Sequence, residues 1–479
     1  MQFASLQFAV FIPLLALVYF ALPPRHRWAA LLLASVYFYM SFIPVYVLLA
    51  LALSLLDYWG ALALERSPVA KRRGLYLSLI AIHLLALLWL KYNNFLGENL
   101  SSLLGRDFTA SGWLAPVGLS YQTLMSISYL SEVHAGRFPA ARKLHTVALY
   151  LLFFPQLLAG PIERPQHTMP QFEAGQGFDY ARVTDGLKRM AFGFFKKLVV
   201  ADRLAVIVGT VYGNVRAFDG PQLMLATLLY AWQIYYDFSG YTDIALGTAQ
   251  LFGIRLSENF KQPYFSRSVT EFWQRWHISL STWLRDYLYF PLARKLRSPR
   301  WRWLALFTTF AISGLWHGAA WTFAVWGALH GLFMIVELWL KRPGAPAPSS
   351  PWLEAAKTIA TFTAVSFAWI FFRAADLNDA GYIVTHLFSN LPAWAANLTS
   401  PAFFKDALVH MGFSLSSLVI VLISLPLLWL LDRMQSQQDL LERLNRLGRV
   451  PRWAVYYLLV VAIAFLGMYG ASGFIYFQF

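Results

Sequence analysis

Long apolar runs alternate with short polar connections from one end of the chain to the other. Runs able, or nearly able, to cross a bilayer as helices begin near residues 5, 28, 46, 75, 113, 145, 186, 222, 303, 320, 354, 412 and 453. A span needs roughly 20 apolar residues, so the pattern predicts an all-α polytopic membrane protein with about 11–13 transmembrane or re-entrant helices. Residues 1–479 read as a single integral membrane domain, because no polar block is long enough to fold by itself. The first run, FAVFIPLLALVYFALPP, has neither a basic leader nor a small-residue cleavage site and is expected to remain as a helix.

Some runs are interrupted. The one starting near 145 ends in FFPQLLAGPIERPQ, where Pro155, Gly160, Pro161 and Pro165 break helix geometry, and residues 303–340 leave and return to the same basic side. Non-helical backbone survives at membrane depth only where protein or a water-filled cavity surrounds it. A polar cavity is therefore expected in the middle of the chain. Residues 258–292, ENFKQPYFSRSVTEFWQRWHISLSTWLRDYLYFPL, predict an amphipathic helix. At about 100° per residue Trp273, Trp276, Leu280, Trp283 and Tyr287 share one face, and Gln274, His277, Ser281 and Arg285 another. An interfacial helix explains the aromatics and arginines, but accounts less well for the histidine and serine in register with them. Residues 341–351, KRPGAPAPSSP, read as an extended cytoplasmic linker rich in Pro and Ala within the domain.

Composition agrees with a membrane protein: 58% of residues are apolar or aromatic and 13% charged, against roughly a quarter charged in soluble domains. The net charge of +15 is carried by loops, which assigns it to the positive-inside rule and membrane lipid, with no nucleic-acid partner. Arg25–Arg27, Arg66–Arg73, Arg137–Lys143, Arg294–Arg302, Lys341–Arg342 and Arg433–Arg452 would be cytoplasmic. Ser41–Pro44, Asn93–Gly112 and Asp376–His410 would face outward, with both termini outside. The absence of cysteine excludes a thiol nucleophile, a thiolate metal site and a disulfide. There is no P-loop, no Gly-x-Ser-x-Gly elbow and no His-Glu-x-x-His, and the histidines lie on separate segments without metal-ligand spacing.

What remains is a general base at depth. In SGLWHGAAWTFAVWGALHG, His317 follows roughly 15 mostly apolar residues, which at a rise of about 1.5 Å each carry it well into the bilayer. Ionisable groups there are costly and mark sites by default, although a hydrogen-bonded core histidine is the alternative. His330, one return span later, is open to either reading. Asp237 and Asp243 in YYDFSGYTDIALG point to different faces of an unbroken helix, so each is expected to orient a histidine, fix an arginine or sit in a buried ion pair.

The segments TEFWQRWHISLSTWLRDYLYFPL, SGLWHGAAWTFAVWGALHG, YYDFSGYTDIALG, FFPQLLAGPIERP and PVGLSYQTLMSISYL together resemble the membrane-bound O-acyltransferase (MBOAT) family, nearest to its bacterial alginate O-acetyltransferase-like branch. The resemblance runs from the first helix to the C-terminal FIYFQF. It implies a central funnel that thins the membrane near His317, with His317 as the catalytic histidine and His277 as the second histidine of the bacterial branch. Two departures stand out. Relatives usually carry DVYRG where this chain has EVHAG, with Glu132 for Asp and His134 for Tyr, and a GGN loop where this chain has ARKLRSPR.

The implied reaction moves acetyl groups from a cytoplasmic donor across the membrane for exopolysaccharide (alginate or cellulose) O-acetylation, with no tightly bound cofactor. Acetyl-CoA is the expected donor, and Arg294 and Lys295 are weak candidates for its phosphates, since the positive-inside rule alone accounts for that run. Ser281 and Arg285 are candidate supporting groups, together with Asp237, Asp243 and His330. The partners expected are a periplasmic acetyltransferase and the exopolysaccharide synthesis and secretion complex, at the bacterial inner membrane. Tyr476 in SGFIYFQF is either an interfacial anchor or an acyl relay to an outside partner. Alternatives are transfer of D-alanyl or another acyl group to a cell-envelope polymer, and a proton-coupled transporter, which would also place His and Asp beside broken helices. The topology is testable because the chain has no native cysteine. In intact cells Ser102→Cys should react with an impermeant thiol reagent, and Ala70→Cys and Ser349→Cys should be protected; labelling of the latter two from outside would overturn the arrangement.

Overall fold

A backbone amide in hydrocarbon has no water to bond, so each apolar run closes its hydrogen bonds within itself as a helix. A computed structural model of the chain describes residues 1–112, 115–157, 160–295, 299–340, 350–435, 440–470 and 473–475. Helices occupy the expected runs, among them Leu6–Ala21, Tyr46–Arg66, Val69–Lys91, Leu119–His134, Gly220–Leu251, Pro299–His317, Trp321–Leu340, Pro351–Arg373, Leu415–Gln435 and Arg449–Leu466. Among the described residues six helices are long and apolar enough to cross a membrane. On two of them Leu85, Trp89, Leu458 and Phe465 are exposed, an apolar surface suited to lipid and not to water. The chain is an all-helical, multi-pass membrane protein. Of the linker expected at 341–351, residues 341–349 lie outside the described residues. Pro351 opens the helix Pro351–Arg373, where its missing N–H has no helical partner to lose.

The chain packs as two units. One comprises Met1–Ala191 and Tyr241–Glu258. Its interior ties three helices together through a polar group that the sequence reading did not single out. The His83 Nε2 atom lies 2.7 Å from Asp57 Oδ1, and Ser126 Oγ donates to Asp57 Oδ2 at 2.5 Å. All three side chains are buried, and bonding both oxygens of Asp57 is what makes such burial tolerable. The interruption expected near Pro155 is present in this unit. The helix Leu144–Leu152 ends and a short turn, Phe154–Leu157, follows. The released backbone finds side-chain partners: Phe154 N donates to Ser35 Oγ at 3.2 Å, and the Gln156 amide donates to Tyr150 O at 2.5 Å.

The other unit comprises Phe192–Gly240 and Asn259–Phe479. It contains an antiparallel hairpin, Pro299–His317 and Trp321–Leu340, whose backbones touch. A Cβ on Gly314 would lie 2.1 Å from Phe323 O, and one on Gly327 2.2 Å from Phe310 O. Small residues allow this approach between membrane helices, and the first helix ends three residues after Gly314, at His317. Gly327→Ala should therefore strain the hairpin by about 1–3 kcal/mol and lower the melting temperature in detergent. Gly209→Ala, in a helix of the same unit with open space around it, should not. Equal melting temperatures would show that the hairpin tolerates separation.

Candidate functional site

His277 is held by a backbone turn. Phe260 and Trp276 form an isolated antiparallel bridge, and Lys261 N donates to Arg275 O at 2.9 Å. Beyond the bridge, Asn259 takes over the next amides. Its backbone oxygen accepts from Ile278 N at 3.1 Å, and its Oδ1 accepts from Ser279 N at 3.2 Å and Ser279 Oγ at 2.7 Å. Amides captured from outside are not available to a straight helix. The amphipathic helix expected over 258–292 is accordingly broken into Val269–Arg275 and a second helical stretch that starts with Ile278–Leu284 and continues through the π-helical turn Arg285–Tyr289 into Phe290–Lys295. Between them His277 takes the left-handed conformation, φ 42° and ψ 53°, which is rare for a residue with a Cβ and costs on the order of 1–3 kcal/mol. The polar face expected through Gln274, His277, Ser281 and Arg285 is therefore broken at His277.

His317 reaches the same place from the other direction, as the last residue of its helix. Its ring lies 4.9 Å from Trp316, 5.1 Å from Trp326, 5.5 Å from Phe372 and 6.4 Å from the ring of His277, centroid to centroid. His277 meets Phe238 edge-on at 4.8 Å. Both imidazoles are buried, with His317 4% exposed and His277 0%. Neither ring nitrogen of His277 has a hydrogen-bond partner among the described residues. Buried polar atoms are nearly always satisfied, so this ring keeps a donor and an acceptor in reserve. His330 differs. Its Nδ1 accepts from Trp273 Nε1 at 3.2 Å, and its ring packs at 5.0 Å on Trp326, the indole that also touches His317. It braces the aromatic wall.

The remaining candidates are spread out. Asp237 lies 2.5 Å from Lys197 Nζ and accepts from Ile475 N at 2.9 Å, so it fixes a lysine and not an arginine. Asp243, in the first unit, accepts from Arg189 Nε at 3.0 Å, and Arg189 forks onto Glu258 at 2.7 and 2.6 Å. Both aspartates thus sit in ion pairs. Ser281 Oγ donates to Trp276 O at 3.2 Å and braces the turn at His277. Arg285 is exposed and bonded to Asp286 at 2.8 Å, and Arg294 and Lys295 are exposed. Tyr476 lies outside the described residues, as does 296–298 in the substituted loop. The other departure is accommodated: Arg137 forks onto Glu132 at 2.9 and 2.7 Å, and His134 stacks on Tyr76 at 4.4 Å. Among the described residues no group of three or more His, Cys, Asp or Glu is placed to hold a metal ion. Lys197, Asp202 and Asn259 were missed in the sequence. Only the lysines inside the apolar run FGFFKKLVV gave a signal, a charge at depth.

Comparison with known proteins identifies the family. Residues 32–373, which include His277, His317 and His330, match the model of the membrane-bound O-acyltransferase family. A probable alginate O-acetylase of Pseudomonas aeruginosa is 37% identical over 387 residues, covering 79% of this chain and 73% of its own. One from Pseudomonas putida is 33% identical over 491 residues and covers 98% of both chains. A peptidoglycan O-acetyltransferase of Helicobacter pylori is 32% identical over 382 residues, 73% of this chain and 71% of its own. The chain belongs to the membrane-bound O-acyltransferase family.

Proposed function

We propose that this acyltransferase moves acetyl groups from acetyl-CoA on the cytoplasmic side to a hydroxyl destined for an exopolysaccharide outside, alginate being the polymer for which the two Pseudomonas relatives are named. The observation that carries the reading is the buried pair His277 and His317, with ring centroids 6.4 Å apart in an aromatic shell. Apolar surroundings favour a neutral imidazole. His317 takes the proton of the acceptor hydroxyl as its oxygen bonds to the thioester carbonyl carbon; the C–S bond breaks, and the leaving thiolate takes the proton back. His277, neutral and with one donor and one acceptor to offer, orients the reacting carbonyl. Arg294 and Lys295, both exposed, supply charge for the CoA phosphates. The enzyme works as one integral domain in the bacterial inner membrane with both termini outside, alongside a periplasmic acetyltransferase and the polymer's synthesis and secretion complex.

General-base assistance is worth roughly 10² to 10⁴ in rate. His317→Ala should therefore abolish polymer acetylation in cells at normal protein abundance, and His277→Ala should retain a measurable fraction. Purified in detergent, where no gradient exists, the native protein should still form ester product. Full acetylation by His317→Ala would remove the general-base role, and loss of the protein itself would make the histidine structural.

Tyr476 is the proposed carrier of the acyl group between the histidines and the outer partner. A phenol with a pKa near about 10 forms an activated ester. Tyr476→Phe keeps the ring needed by an anchor and deletes the hydroxyl needed by a relay. Acetylation should fall as far as in His317→Ala, with an acetyl group on the C-terminal peptide of the native protein; near-normal acetylation would leave Tyr476 as an anchor.

A further inference from the structure

The charged groups that acyl transfer leaves unused converge on the C-terminal tail. Lys197 stands on a π-helical turn, Phe195–Ala201, and Asp202 opens the next helix. The Lys197 ammonium lies 2.7 Å from Asp202 Oδ1 and 2.5 Å from Asp237 Oδ1, and all three side chains are at most 5% exposed. Three buried ionisable groups are costly in an apolar interior, and one ammonium divided between two carboxylates leaves Asp237 short of a full counter-charge. The tail supplies what is missing. Ile475 N donates to Asp237 Oδ2 at 2.9 Å, a charge-assisted bond, and Lys197 Nζ reaches Gly473 O at 3.4 Å. Farther back, Met468 N donates to Leu198 O at 2.9 Å and Arg203 donates to Leu466 O at 2.8 Å.

The captured tail is not at the surface. Phe474 and Ile475 are each 2% exposed. The Phe474 ring lies 5.8 Å from Phe238, the residue after Asp237, and Phe238 is the ring that meets His277 edge-on at 4.8 Å. The same short stretch of helix thus grips the tail with one side chain and supports the histidine with the next. We infer that the Lys197–Asp237 pair is a latch for the C-terminal tail, and that Asp237 is a positioning residue that keeps Gly473–Ile475 in the wall of the histidine site. The functional part of this inference rests on the acyl-transfer reading of His277 and His317, whereas the latch itself does not.

Single cysteines in this cysteine-free chain separate the two. In the full-length protein in membranes, Ile475→Cys should react slowly with a permeant maleimide, and adding Asp237→Ala should raise the rate about tenfold or more. Ala226→Cys, fully buried on the same helix as Asp237, should stay protected in both backgrounds, which a general loosening of the fold would not allow. Ile475→Pro covers the case in which Asp237→Ala fails to accumulate, because it deletes the donated N–H and leaves the ion pair intact. It should expose Phe474→Cys to the reagent and lower polymer acetylation about tenfold or more at normal abundance. Continued protection of Ile475→Cys beside Asp237→Ala, or of Phe474→Cys beside Ile475→Pro, would overturn the latch. Normal acetylation by a demonstrably released tail would overturn its place in the site. Should His317→Ala keep its activity while the labelling changes as expected, the acyl-transfer reading fails and the latch stands.

Discussion

The arrangement of the second unit depends on closing the backbone at His277, where the chain leaves helical conformation in an interior that offers little water. Asn259 meets that demand with two acceptors, its own carbonyl for Ile278 N and its side chain for Ser279 N and Oγ. Ser281 adds a fourth hydrogen bond by donating to Trp276 O. With these groups satisfied, the chain tolerates a left-handed residue that carries a Cβ. Non-helical backbone at depth persists only under such cover, and the strain it stores is characteristic of sites where a side chain must be held off the regular helix.

Charge is handled by the same logic. Arg189 is shared between Asp243 and Glu258, Lys197 between Asp202 and Asp237, and Asp57 is bonded by His83 and Ser126. Each charged group is consumed by partners, because a lone ion costs far more at depth than a paired one. An aspartate already committed to a lysine is a poor orienter for a histidine, which is why Asp237 serves the backbone of the tail instead. His277 is buried as deeply as Asp57 and Lys197, and neither of its ring nitrogens has a hydrogen-bond partner among the described residues.

The helices were legible in the sequence because membrane spans are written in apolar length, and the break near Pro155 because Pro155, Gly160 and Pro161 fall close together, whereas the lone prolines Pro13 and Pro426 lie inside continuous helices. His317 was legible for a related reason, as an imidazole one turn from a glycine in an apolar hairpin. The turn at His277 was not. Its periodicity from Trp273 to Tyr287 is helical on both sides, and the residue that breaks it, Asn259, lies well before it in sequence. Capture of Ile278 and Ser279 by Asn259 is a tertiary contact that no local pattern records. Asp237 was read as a charge at depth and Lys197 was missed; their pairing, and the tail that completes it, come from three distant parts of the chain.

His317 and His330 show how little of a role resides in the local sequence. Each is followed by glycine and flanked by apolar residues, and both rings touch Trp326. Their difference lies in Trp273, whose indole can only donate. By accepting that bond on Nδ1, a neutral His330 is fixed with its proton on Nε2 and holds the aromatic wall in place. His277, without such a partner, can adopt either tautomer. The separation between His277 and His317 is then set by two independent devices, the glycine-packed hairpin that ends at His317 and the Asn259 clasp that strains His277. A change in either would alter the distance between the rings without touching an imidazole, so the geometry of the pair is a property of backbone packing more than of the histidines themselves.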